Sequence, residues 1–362
     1  MRVALVAFGG HERYSVQLAN GLAEKVEVLL VEPEHQNMEY EELLDKRIEL
    51  FVYKQPRLRN PLNILTVRSI VKRIEEFKAD IVHFQGLHTW FFVGLPFIRN
   101  RAVTTTFHDV SSHVGEEKLR YRWNKWLFRR YSDRIIVHGN HLKKKIVNED
   151  GIPEEKVHVI PHGNYSLYSR WRKLTISEGK ENVLFFGRLW KYKGLEYLIR
   201  AEPLISREIP ELKIVVAVHG EPFSKYEEFI VNKDKFNVIE RYIPNEEVAE
   251  LFQRASVVVL PYIEASQSGV LNIAYSFGKP VVVTDVGALP EVVDHGKTGF
   301  IVPPKDPKAL AEAIVTLLKD DELRKEMGKN AYVKATTELS WDRIAEMTIE
   351  VYNKAIEEKR GG

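Results

Sequence analysis

The chain has 362 residues, of which 44% are hydrophobic and 29% charged, with a net charge of +2. That length can bury more than one core, and the near-balance of charge gives no electrostatic reason to expect a nucleic-acid partner. No cysteine is present, so disulfides, thiolate nucleophiles and Cys-ligated zinc are excluded and a cytoplasmic setting is expected.

The first stretch, "MRVALVAFGG", reads as an apolar strand too short and too Gly-ended for a signal peptide. No later apolar run approaches the ~18 residues a membrane helix needs. "GGHERYSVQLANGLAEK" follows as a Gly turn and a helix carrying Val16, Leu18, Ala19 and Leu22 near one face, and "VEVLLVE" as a second strand. "ADIVHFQG", "AVTTTFHD", "DRIIVHG" and "VHVIPHG" are further short strands. Their continuous apolar runs predict burial on both faces of a parallel sheet. The rhythm restarts with "ENVLFFGRL", "LKIVVAVHG", "NVIERYI", "SVVVLPY", "PVVVT" and "TGFIVP".

Two doubly wound, Rossmann-like α/β domains are therefore expected, at 1–165 and 166–345, with 346–362 a last helix. The stretch 161–182 is polar and aperiodic and reads as the hinge. In the last helix Ile344, Met347, Val351 and Ile356 recur at helical spacing. The pattern is compatible with closing the second domain or crossing back to the first.

Charge is uneven. Residues 116–145 hold ten Lys/Arg against three acids, and "EKLRYRWNKWLFRRYSDR" interleaves aromatics with the cations. A helix packed on the sheet with a solvated basic face explains this. So does peripheral contact with a membrane surface or an anionic acceptor. No nucleic-acid motif accompanies it.

Ligands of doubly wound sheets bind at the carboxyl ends of the strands. Gly9 and Gly10 follow the first strand and precede a helix, which suits either a tight turn or an anion site. There is no GxGxxG and no P-loop. Arg188 and Lys193, in "FFGRLWKYKG", are two cations placed to grip a diphosphate, or two solvated surface charges. In "EASQSGVLNIAYSFGKPVVVT", Ser268, Gly269 and Val270 open a helix just past a strand, so their N–H groups would face an anionic oxygen. His108, ending a strand beside Asp109, can hydrogen-bond a sugar hydroxyl or carry a proton, although His83, His138 and His162 occupy similar positions. His108, Asp109 and His113 match no standard metal spacing.

With these motifs together, the chain resembles the family-4 retaining glycosyltransferases of the GT-B fold over nearly its whole length. "FFGRLWKYKG" resembles the family's G-R-L-x-x-x-K-G, and "GKPVVVTDVGALPEVVDHGKTGFIVPPKDPKALAEAI" its segment after the donor loop. "TFHDV" and "SDRIIVHGNHLKKKIV…VHVIPHGN" match landmarks of its first domain. The resemblance implies two domains facing across a cleft and transfer of a hexose from a nucleotide sugar with retained anomeric configuration. No metal or other cofactor is needed, since the nucleotide sugar is a co-substrate.

On the same basis Arg188 and Lys193 would hold the diphosphate, the Ser268–Gly269–Val270 amides and Gly10 would support it, and His108 would face the sugar. The acceptor, a sugar, glycolipid or lipid-linked hydroxyl, would bind the first domain. One departure concerns the paired glutamates of many family members, whose positions are taken by Ala265 and Ile273. Glu264, Gln267 and Ser268 are the replacements at hand, and the sequence resembles an "ASQSGV" variant. A phosphorylase or sugar-nucleotide epimerase on the same architecture, and a non-catalytic nucleotide-sugar binding protein, are the rival readings.

Overall fold

The computed structural model describes residues 1–8, 11–34, 42–86, 88–108, 126–179 and 182–361. The chain divides into two compact units, one of Met1–Gly163 with Trp341–Gly362 and one of Asn164–Ser340. The breaks fall at Gly163 and Ser340 rather than at 165 and 345. The residues on either side explain the positions. Trp341, at the start of the last helix, covers Gly163 so closely that a Cβ there would lie 2.5 Å from the indole. Asn164 N instead donates to Leu339 O within the second unit.

Among the described residues, the first unit is built on seven strands: β1 (Arg2–Ala7), β2 (Glu27–Pro33), β3 (Glu49–Tyr53), β4 (Ile81–Gln85), β5 (Ala102–Phe107), β6 (Arg134–Val137) and β7 (Val157–Val159). They lie in the order β3-β2-β1-β4-β5-β6-β7, and every pairing is parallel. Successive residues of β1 feed opposite faces. Ala4 and Val6 join the core under the helix Asn63–Glu76, while Val3 and Leu5 join the one under the helix Glu12–Ala23 and the last helix, Trp341–Gly361. Both faces are covered, which is why these strands are unbroken apolar runs. Gly21 admits the last helix: a Cβ there would stand 2.7 Å from Trp341 O.

The second unit carries β8 (Asn182–Leu189), β9 (Lys213–Gly220), β10 (Phe236–Glu240), β11 (Val257–Leu260), β12 (Val281–Thr284) and β13 (Gly299–Val302), in the order β10-β9-β8-β11-β12-β13. All pairings are again parallel, with an apolar cluster on each face.

The stretch 161–182 holds the first break between the units, at Gly163 and Asn164. From Asn164 its described residues belong to the second unit, where Tyr168, in the 3-10 turn Ser166–Trp171, is fully buried. Lys173 N donates to Gln253 Oε1 at 3.0 Å, and Gln253 Nε2 returns a bond to Lys173 O at 2.8 Å. No described helix is long and apolar enough to cross a membrane.

Candidate active site

In the second unit the strand order reverses between β8 and β11, which opens a crevice at their carboxyl ends. Arg188 is the penultimate residue of β8, rather than in the turn after it, and is exposed. It lies in register with His219 at the end of β9. Burial, and then the Arg188 cation, depresses the basicity of His219, whose ring meets Tyr242 edge-on at 5.9 Å.

Lys193 closes the 3-10 turn Lys191–Lys193. Gly194 then takes φ +68°, and a Cβ on it would fall 1.9 Å from Pro261 O, so the turn is pressed against the end of β11 in a way only glycine allows. Ile263 N donates to Tyr192 O at 2.7 Å and fixes the same approach. The result sets Lys193 Nζ 3.8 Å above the Tyr262 ring, a cation–π contact.

Tyr262 OH and Ser268 Oγ share a hydrogen bond at 3.1 Å. Ser268 is the N-cap of the helix Gly269–Ser276, but its hydroxyl does not turn back to cap it. The first-turn N–H groups, which no helix can satisfy internally, are thereby left for another acceptor. A Cβ on Gly187 would meet Val270 Cγ2 at 3.4 Å, which places the end of β8 beside this helix. Arg188, Lys193 and Ser268–Val270 thus converge within one unit. The side of Gly269 that a side chain would fill is occupied by the Tyr165 ring, 3.0 Å away. Gln267 Oε1 is buried with no hydrogen-bond partner among the described residues, and Glu264 is exposed. Ile273 lies in the apolar core.

In the first unit Gly9, Gly10, Asp109 and His113 lie outside the described residues. His108 is described, 4% exposed, and sits in a cluster that sequence reasoning did not assemble. Its ring stacks on His11 with centroids 3.9 Å apart. Its Nδ1 is 3.0 Å from His138 Nε2, and its Nε2 is 2.9 Å from Gln85 Oε1. Tyr14 packs edge-on against His108 and His162. Burial first, then His11, His138, His162 and His83, hold His108 well below the usual histidine range. Burial likewise pushes His83 and His162 down to about 3. Burial and these neighbours all disfavour the charged form of His108. His83 lies within β4 and His108, His138 and His162 follow β5, β6 and β7, so the sheet order makes these four neighbours, while His11 and Tyr14 reach them from the start of the first helix.

Of the basic stretch 116–145, residues 116–125 are outside the described ones. Beyond them Leu127 and Phe128 are buried while Trp126 is exposed. Arg129 pairs with Asp150, Arg134 with Glu358 and Lys143 with Glu154, so part of its charge is already compensated.

Comparison with known proteins follows the same division. The family model described as Glycosyltransferase Family 4 matches residues 8–163, and that described as Glycosyl transferases group 1 matches residues 180–320. The D-inositol 3-phosphate glycosyltransferase of Pseudarthrobacter chlorophenolicus is 28% identical over 82% of this chain and 77% of its own length. Among solved structures, the sucrose-phosphate synthase of Thermosynechococcus elongatus aligns over 99% of this chain and 100% of its own, with a TM-score of 0.74 and 20% identity. The Anabaena protein HepE, solved in complex with UDP-glucose, aligns over 98% and 99% with a TM-score of 0.72 and 19% identity. The chain is a family-4-like glycosyltransferase with two Rossmann-like domains of the GT-B type.

Proposed function

We propose that this chain is a retaining hexosyltransferase that draws its sugar from a nucleoside diphosphate sugar and delivers it to a hydroxyl acceptor, with no metal or other cofactor. The observation that carries the reading is the convergence of Arg188, Lys193 and the N-terminus of the helix Gly269–Ser276 at the carboxyl ends of β8 and β11. A diphosphate gains charge as its bond to the sugar breaks. Two cations and a helix N-terminus stabilise that charge most when it is fully developed, which is what lowers a barrier.

The bond between the anomeric carbon and the diphosphate oxygen breaks, and the acceptor oxygen bonds that carbon on the face being vacated. The acceptor's proton passes to the departing phosphate oxygen, so a glycoside and a nucleoside diphosphate leave in balance. No carboxylate nucleophile is called for, which suits a loop where Glu264 is exposed and Ile273 belongs to the core. In this reading the acceptor belongs to the first unit, and His108, whose two ring nitrogens are engaged by His138 and Gln85, reaches a sugar hydroxyl only by exchanging one of those bonds.

UDP-glucose, the ligand named for the Anabaena neighbour, is the first donor to assay. D-inositol 3-phosphate, named for one relative, is the first acceptor to assay. Arg188→Ala and Lys193→Ala are each expected to lower turnover at least about a hundredfold, the effect of losing a few kcal/mol of leaving-group stabilisation. Near-wild-type rates in both variants would refute the reading.

A further inference from the structure

A second piece of chemistry lies in the first unit, in a line of buried polar groups running from β7 to the last helix. His138 Nδ1 is 3.0 Å from Ile160 O. A carbonyl only accepts, so that nitrogen carries a proton. His138 Nε2 faces His108 Nδ1, and His108 Nε2 faces the Gln85 amide. The other end of that amide is 3.1 Å from His83 Nε2, which is also 2.8 Å from Thr106 Oγ1. His83 Nδ1 lies 2.5 Å from Tyr352 OH. Gln85, His83 and Thr106 are themselves fully buried.

Counting protons along this line gives two answers, and the amide decides between them. With its oxygen toward His108, as placed, His108 Nε2 must donate. Both outer nitrogens of the His108–His138 pair then carry protons, and the two inner ones need a further proton between them, so the pair is a cation. Turned by half a rotation, the amide donates to His108 Nε2, His108 Nδ1 donates to His138 Nε2, and His83 Nε2 donates to the amide oxygen. Tyr352 then donates to His83 Nδ1. His83 Nε2 then shares its one proton between the amide oxygen and Thr106 Oγ1, each of the other bonds has one donor, and the line is neutral.

We propose that Gln85 is the positioning residue that sets the charge and tautomer of His108, and that in the free protein it presents its amide nitrogen, holding His108 as the neutral Nδ1–H form. Among the described residues, the titratable groups bearing on His108 are His11 from the loop before the first helix, His83 from β4, His138 after β6 and His162 after β7, with Tyr14 packed edge-on against it. The four histidines oppose a positive charge there, as does burial. An anion brought to the site would reverse the preference, and the amide would turn as the pair took up one proton. The same count names the consequence of replacing the amide by its acid. A carboxylate at position 85 only accepts, so it requires a proton on both His108 Nε2 and His83 Nε2 and makes the His108–His138 pair the cation.

The test is 15N NMR of the imidazole nitrogens in full-length protein labelled at histidine, with His108 assigned by loss of its signals in His108→Asn. Wild type is expected to show His108 as a neutral Nδ1–H tautomer at pH 7. In Gln85→Glu both His108 nitrogens are expected to be protonated at pH 7, with the midpoint raised by more than one pH unit. In Gln85→Leu His108 is expected to stay neutral to lower pH than in wild type. A neutral Nε2–H tautomer in wild type overturns the proposal even if neither variant folds, and so does an unchanged midpoint across the three proteins.

This inference rests on the reading of the preceding section only through the role of His108. The acid limb of transferase turnover is expected to move upward in Gln85→Glu with the NMR midpoint. A shifted midpoint with an unmoved limb would uphold Gln85 as the positioning residue and remove His108 from the reaction.

Discussion

At the scale of single residues the second unit's site depends on close approaches that no side-chain motif encodes. Gly194 is the sharpest case: a β-carbon has nowhere to go between the turn and Pro261 O, and the backbone is left-handed. Gly194→Ala is expected to cost at least about 1 kcal/mol of stability and to displace Lys193 from Tyr262, lowering turnover with it. Urea unfolding and kinetics of the same sample check both effects, and full activity at wild-type stability would show that Lys193 is placed by something else. Arg188, Lys193 and the Ser-Gly-Val helix start were legible in the sequence because polar residues at strand ends stand out against apolar runs. Tyr262 was not, since it reads as the end of a buried strand. His219 and Tyr242 were missed for a related reason: each is an ordinary strand-end residue until the register of β8 and β9 sets His219 beside Arg188.

At the scale of elements, the strands were readable and their order was not. Unbroken runs such as "VALVA" and "SVVVL" announce burial on two faces, whereas nothing local says that β4, β5, β6 and β7 lie side by side in that order. That adjacency makes neighbours of His83, His108, His138 and His162. It also gives the first unit a pH dependence whose sign can be worked out. His83, His108 and His162 are held below the ordinary histidine value when folded, because burial disfavours the charged ring. The unfolded chain therefore binds more protons between about pH 6.5 and the depressed values. The stability these rings contribute as neutral groups is present above about pH 6.5 and is lost as pH falls toward 3. Thermal unfolding in steps from pH 7.5 to 4.5 is expected to show a transition that falls with pH by more than a single titrating group explains, roughly 1.4 kcal/mol per pH unit. A flat profile would mean that these rings titrate in the folded protein as they do in the unfolded chain.

At the scale of the whole molecule, the chain builds most of one unit, then all of the second, and returns to the first at Trp341. Periodicity showed that the last helix had an apolar face but not where that face belonged. Its buried Ile344, Val351 and Tyr352 join the core of the first unit, and Tyr352 anchors the polar line through His83. The two units carry different chemistry on the same plan: a neutral, hydrogen-bonding cluster in one, and a cationic crevice with a helix N-terminus in the other. The central claim is that this crevice holds a nucleoside diphosphate.

The most direct measurement is the thermal transition of the purified protein with UDP-, GDP- and ADP-glucose and the free diphosphates, repeated on Arg188→Ala. At about a hundredfold excess over Kd, binding is worth ~2.7 kcal/mol and raises the transition by several degrees. One nucleoside diphosphate and its glucose conjugate are expected to do so in wild type and to lose the effect in Arg188→Ala. No shift with any of them, or the same shift in the variant, would contradict it.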